Sequence, residues 1–268
     1  VQDRPTWVST NGDAERPNIA RLYDYYLGGA HNFAVDREFA QRSTRLLPID
    51  EITRSSRSFL RRAVRTCLDA GIRQFLDLGS GIPTAGNVHE VAQRIDPTTR
   101  VVYVDNDPVA VAHSRTMLKG SRTTAIVEAD IRDPKAVFDA ADTRRLLDLD
   151  QPVAVLMVGI LPYFDDCDEP AALIATYRDA IAPGSYLVMS HLTGDVEPEL
   201  AERMLNVTKE TQISLSLRAK DEVATFLAGF SLLEPGLVLA SRWRGDADEE
   251  ESAATSISYG AVGIKPVD

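Results

Sequence analysis

From residue 73 onward, short apolar runs alternate with amphipathic stretches. The runs occupy 75–78, 101–104, 125–127, 153–158 and 186–189, each of a length suited to a strand buried on both faces. Between them, stretches near 87–95, 108–119, 134–147 and 170–182 carry helical periodicity. Strand and helix in alternation predict βαβ units around a mostly parallel sheet, and right-handed crossovers make it doubly wound. Helices near 197–207 and 220–228 follow. Two further strand-like runs, 237–240 and 256–264, predict an antiparallel hairpin at the end of the sheet. The acidic run Asp246, Asp248, Glu249, Glu250 and Glu251 between them reads as its solvated tip.

Before residue 73 there is no strand pattern. Ile19, Leu22, Tyr23, Tyr26 and Leu27 form one apolar stripe on a helix that Gly28 and Gly29 end. A second helix is expected over 35–47, ahead of Pro48. A third carries Phe59, Leu60, Ala63, Val64, Cys67 and Leu68 on one face, with Arg54, Arg57, Arg61, Arg62 and Arg65 on a solvated one. The chain thus divides into an N-terminal helical cap, 1–72, and an α/β domain, 73–268.

Charge narrows the partners. With 29 basic and 40 acidic residues the net charge is −11, which opposes a phosphate-backbone ligand. The two cysteines, Cys67 and Cys167, can build neither a disulfide framework nor a CxxC metal knuckle, and no histidine pair has ligand spacing, so no metal is expected. No secretory leader pattern is seen at the start of the sequence. The longest apolar run, 153–164, is broken by Gly159 and Pro162 and falls short of the about 20 residues of a membrane helix. A soluble, cytoplasmic protein without a membrane partner is the expectation.

The chemistry gathers at strand ends. The first strand runs into Asp77-Leu78-Gly79-Ser80-Gly81, and a helix follows. In open α/β sheets ligands sit beyond the carboxyl ends of the strands. A dinucleotide fingerprint would need a glycine where Thr84 stands, and Asp77 would repel a pyrophosphate but suits a cationic group such as an α-amino group. The second strand ends in Asp105-Asn106, where a carboxylate can accept hydrogen bonds from a ribose diol. The third ends near Asp130-Ile131, where a side-chain acceptor can take an exocyclic adenine amine. The fourth runs through Val158-Gly159 into Leu161-Pro162-Tyr163-Phe164.

These motifs resemble those of the class I S-adenosylmethionine-dependent methyltransferases over residues 73 to about 264. Three further stretches, 20–37 (ARLYDYYLGGAHNFAVDR), 57–65 (RSFLRRAVR) and 79–92 (GSGIPTAGNVHEVA), resemble an actinobacterial methyltransferase family once catalogued as a domain of unknown function. The resemblance implies a seven-stranded Rossmann-like sheet, S-adenosylmethionine as cofactor and methyl transfer as the reaction. It implies a cofactor site of Asp77, Gly79, Ser80, Gly81, Thr84, Asp105, Asn106, Asp130, Ile131, Val158 and Gly159. Tyr26, Asn32, Phe33 and Arg57 would join from the helical cap, whose 28–33 loop would close over the cofactor; Arg57 suits the cofactor carboxylate. Pro83 stands where a third glycine is common, which stiffens the loop.

If a base is needed, the candidates are His191, Tyr163 and Asp165 at strand ends and His31 on the lid. Enzymes that methylate base amino groups resemble Asn/Asp-Pro-Pro-Tyr/Phe after the fourth strand, and residues 161–164 echo this only in part. A small-molecule acceptor is therefore expected, with the oligomeric state open. Two alternatives stay open here: a cofactor-binding protein without transferase activity, and a nicotinamide oxidoreductase, which Thr84 and Asp77 oppose.

Overall fold

The structure, a computed structural model, describes residues 16–82, 86–209, 213–245 and 252–267. The acidic run 246–251 and Thr84 lie outside the described residues.

Three helices lead: α1 (Ile19–Tyr26), α2 (Ala34–Leu46) and α3 (Ile49–Asp69). The α/β part follows with β1 (Gln74–Leu78), α4 (Val88–Ile95), β2 (Arg100–Asp105), α5 (Pro108–Met117), β3 (Thr124–Glu128), α6 (Pro134–Asp139) and α7 (Ala141–Leu146). It continues through β4 (Ala154–Met157), α8 (Pro170–Asp179), β5 (Tyr186–Leu192), α9 (Pro198–Lys209), α10 (Lys220–Thr225), β6 (Ser231–Leu232), β7 (Val238–Leu239) and β8 (Ser258–Ile264). Local chemistry sets several starts. The Asp107 and Asp133 side chains accept from the backbone N–H of Ala110 and Ala136, and a proline follows each at the first helical position. The single helix expected over 134–147 is two, because Ala140 takes an extended conformation between α6 and α7.

The sheet order is β3-β2-β1-β4-β5-β8-β6, with β7 pairing β8 off this path. Strands β1 to β5 are parallel, and β8 runs antiparallel to β5, β6 and β7. The expected C-terminal antiparallel pair is present as β7 and β8. It does not form the sheet's end, however, because β8 is inserted between β5 and the short strand β6.

The pleat divides the core in two. Leu76, Leu78, Val102, Val104, Val155, Met157, Leu187 and Met189 face one side. Their alternates, Phe75, Val101, Tyr103, Ala154, Leu156, Tyr186 and Val188, face the other. Phe59, Leu60, Ala63, Val64, Cys67 and Leu68 of α3 pack within this second cluster. Helix α3 belongs to the layer that covers the sheet beside α4, with α1 and α2 packed against it. Its arginine face is corrected. Arg54, Arg61 and Arg65 are exposed, but Arg57 is buried, and Arg62 donates to the carbonyls of Trp243 and Ala240 at 2.9 and 2.7 Å.

Phe59 is fully buried and meets Trp243 edge-on at 5.7 Å between ring centroids. Phe59→Ala should lower the unfolding free energy by about 3–5 kcal/mol in urea denaturation. Leu46→Ala, at a position 57 % exposed, should change it little.

Candidate active site

Parity along the strands decides what reaches the site. Asp77 alternates with Leu76 and Leu78, so it shares the face of Phe75 under α3; Asp105 shares the face of Val101 and Tyr103. Val158, beyond β4, and Ser190, in β5, continue the same face. All four line one cavity of about 300 Å³ at the carboxyl ends of the strands. Gly79, Ser80, Gly81, Asn106, Gly159, Arg57, Tyr26 and Tyr163 line it as well.

Asp77 is buried, and loss of water pushes its carboxyl up to about 7, against the opposing pull of the Arg57 guanidinium. Asp105 is also buried and raised by burial. Its Oδ2 accepts from Gly81 N–H at 2.7 Å and its Oδ1 from Asp107 N–H at 2.9 Å, so it ties the glycine turn to the start of α5. Gly79 sits at φ +72°, and a Cβ there would lie 2.5 Å from the Ile160 side chain, so only glycine fits this turn. The Ser190 hydroxyl accepts from Gly159 N–H at 3.0 Å and holds the next strand-end loop.

The cap is tied to this rim. Asn18 caps α1 through its side-chain oxygen, while its amide donates to Asp107 Oδ2 at 2.6 Å. Buried Arg21 donates to Asp36 Oδ2 at 2.6 Å and joins α1 to α2. Residues 18–20, 22, 23 and 26 of this region line the cavity, and Arg57 lies over the Tyr23 ring at 5.2 Å.

The loop expected to close over the cofactor lies away from the cavity in this structure. Buried Asp24 accepts from His31 N–H at 2.8 Å and from the Asn32 amide at 3.0 Å, which folds the 28–33 loop back on α1. A Cβ on Gly29 would collide with the Asp24 carboxylate. Asn32 is spent on these bonds. Phe33 opens α2 beneath the Arg21 guanidinium. The His31 ring lies against that of His113 of α5, 3.6 Å between centroids and tilted by 37°. None of the three lines the cavity.

The remaining departures also have physical reasons. His191 alternates with Ser190 and so points to the opposite face. There its Nδ1 donates to the Leu192 carbonyl at 2.8 Å, and its Nε2 accepts from Arg218 at 3.0 Å. Burial lowers it to about 4, so it is a neutral, fully bonded structural histidine, not a base at the cavity. Asp165 accepts from Ser214 at 2.8 Å and lies off the cavity. Asp130 is gripped by the Arg132 guanidinium at 2.6 Å, which lowers its pKa, while Ile131 is buried in the core; neither lines the cavity.

The sequence reading did not anticipate the far half of the cavity. Phe39 of α2, Leu47 between α2 and α3, Ile52 of α3, and Met204 and Val207 of α9 form it, with Leu215 beyond. The Leu200, Met204 and Val207 spacing is a helical stripe that was legible in the chain.

Comparison with known proteins gives this arrangement a family. The profile of a family described as S-adenosyl methyltransferase matches residues 5–266. The chain belongs to that family. A candidate methyltransferase from Thermobifida fusca YX is 38 % identical over 98 % of this chain and 100 % of its own, with a TM-score of 0.90. A DUF574 family protein from Streptomyces avermitilis is 36 % identical over 95 % and 99 % of the two chains, with a TM-score of 0.89. The N-methyltransferase NodS of Bradyrhizobium japonicum, solved with S-adenosyl-L-homocysteine, is 15 % identical with a TM-score of 0.52 over 92 % of this chain and 100 % of its own, a likeness of fold. A comparison with curated proteins found no match. The enzyme is thus an S-adenosylmethionine-dependent methyltransferase of the class I, Rossmann-like fold.

The cavity residues fit that cofactor. Asp77 is a buried carboxylate beside the Arg57 guanidinium, and Asp105 accepts from the backbone N–H groups of Gly81, Asp107 and Asn106, which leaves its two oxygens capacity for a further donor. Because Arg57 is what lowers the Asp77 pKa, Arg57→Met should raise the Asp77 midpoint above about 7. NMR titration of the side-chain carboxyl carbon checks this; a midpoint unchanged by the substitution would separate the two groups.

Proposed function

We propose that this methyltransferase acts on a small molecule held in the far half of the cavity. The observation that carries this reading is continuity: one cavity runs from the strand-end carboxylates into the chamber walled by α2, α3 and α9. S-adenosylmethionine, when bound, supplies a methyl group on a positively charged sulfur. Asp77 and Arg57, a carboxylate beside a guanidinium, complement the ammonium and carboxylate of its amino-acid end. Asp105 accepts from the ribose hydroxyls, and Gly79, Ser80, Gly81, Asn106, Val158 and Gly159 form the remaining cradle.

Tyr163 is the remaining catalytic candidate of those named from sequence. Burial and the neighbouring Tyr23 and Tyr26 raise its phenol, so it stays protonated at neutral pH. It orients the acceptor by hydrogen bonding and does not remove a proton. The chain's main contribution is then to hold two reactants in line and exclude water. The net charge of −11 argues against a nucleic-acid acceptor. Among the described residues no helix is long and apolar enough to cross a membrane.

Incubating the enzyme with methyl-labelled cofactor and cell extract should place the label in the dialysable fraction. Label retained on protein or nucleic acid would overturn the small-molecule reading. Asp105→Ala should weaken S-adenosylhomocysteine binding by about 1.5–3 kcal/mol in isothermal titration. An unchanged affinity in a folded variant would remove Asp105 from the ribose site.

A further inference from the structure

Alternate residues of the segment 213–218 do different things. Leu215 lines the cavity, together with Pro162 and Tyr163 of the loop after β4. Ser214, Ser216 and Arg218 hold that loop. Ser214 donates its hydroxyl proton to Asp165 Oδ1 at 2.8 Å, Ser216 N–H donates to the Pro162 carbonyl at 2.7 Å, and Arg218 Nη2 donates to the Phe164 carbonyl at 3.0 Å. The backbone carbonyls on either side of Tyr163 are thus both gripped by one segment.

Arg218 also fixes that segment to the sheet. Its backbone N–H donates to the Leu192 carbonyl at 3.2 Å, and its Nη1 donates to His191 Nε2 at 3.0 Å. A guanidinium can only donate, so His191 must present a bare Nε2 and carry its proton on Nδ1, where the Leu192 carbonyl accepts it at 2.8 Å. Ser190 and Leu192, which flank His191, line the cavity from β5. The planar fork of Arg218 therefore joins the loop of Tyr163 to the end of β5 from behind the cavity wall.

Packing alone does not call for a cation here. Arg218 is 6 % exposed, yet the acid paired with it at 2.7 Å, Asp166, has a side chain 96 % exposed. An ion pair with one partner in water returns little, and the other acceptors of this guanidinium are neutral. An apolar side chain would fill the space over the Phe226 ring with less loss of hydration, but it would hold neither the carbonyl nor the ring nitrogen. What the guanidinium adds is direction.

We infer that Arg218 is a positioning residue for Tyr163: its fork sets the loop after β4 so that Tyr163 keeps its place in the cavity wall. This rests on the reading of the cavity as a methyltransferase site in which Tyr163 orients the acceptor, and it adds the residue that orients Tyr163.

The test uses the full chain labelled with 3-fluorotyrosine, the Tyr163 and Tyr186 resonances being assigned by their loss in Tyr163→Phe and Tyr186→Phe. In Arg218→Met the fluorine resonance of Tyr163 should shift, while that of Tyr186, at the opposite end of β5, stays in place. S-adenosylhomocysteine affinity should stay within about twofold, because Arg218 and the groups it touches lie off the strand-end carboxylates. With a fixed amount of cell extract as acceptor source, the maximal rate of label transfer to the dialysable fraction should fall about tenfold to a hundredfold, with the apparent KM for S-adenosylmethionine unchanged. Arg218→Lys, which keeps the charge without the fork, should fall between the two proteins, and it decides the matter alone if Arg218→Met does not fold. A Tyr163 resonance unmoved in an Arg218 variant that still binds S-adenosylhomocysteine, or an unchanged maximal rate, would overturn the inference and leave Arg218 a structural residue. If the unaltered protein labels nothing in the dialysable fraction, the small-molecule reading fails instead, and the Tyr163 resonance still decides whether Arg218 positions it.

Discussion

The pleat of the parallel sheet is the constraint on which the site depends. Side chains in a strand alternate between faces, so one choice of register sends Asp77, Asp105, Val158 and Ser190 to the same side at the same end. Because α3 covers that side, its buried Arg57 stands beside Asp77. The hydrophobic residues that hold α3 down, from Phe59 to Leu68, are therefore what bring a guanidinium to a carboxylate that would otherwise be buried without an opposing charge. Core packing and binding chemistry are carried by two faces of one helix.

The cap is fixed by a few polar contacts that each join two elements. Asn18 serves α1 and Asp107 together, Arg21 links α1 to α2 through Asp36, and Asp24 gathers the 28–33 loop. Asp24 and Arg21 are fully buried, and Oδ2 of Asp24 takes its hydrogen bonds from the His31 backbone and the Asn32 amide of the loop. The histidine and asparagine of this loop are bonded within the cap.

The alternation of strands and helices, the acids Asp77 and Asp105 at strand ends and the glycine turn were legible in the sequence because each is a local pattern with a single physical cause. The errors came where a tertiary choice was needed. His191 and Ser190 are adjacent in the chain, and placing the histidine at the site ignored that a strand can present only one of two neighbours to a given face. Asp130 was read by its place after a strand, but Arg132, two residues on, captures it. The loop 28–33 joins two helices, and nothing in the linear pattern says which end of that helical pair faces the sheet. The far chamber was hidden for the same reason. Its stripes on α2, α3 and α9 were individually visible, but their convergence depends on how helices cross.

Helix α3 has one more consequence. Its last turns are locked in the core beneath β1, β5 and β8, its middle bears Arg57, and its first turns bear Ile52 and Thr53 in the chamber wall. A substitution in the first turns therefore alters acceptor space at some distance from both the core contacts and the strand-end carboxylates. The same is true of Met204 and Val207 of α9, which pack in apolar clusters with Leu47, Ile52 and Phe39. Changes on these two helices can thus reshape the chamber while leaving the strand-end turn in place, so the form of the cavity is mechanically decoupled from the sheet that carries the carboxylates.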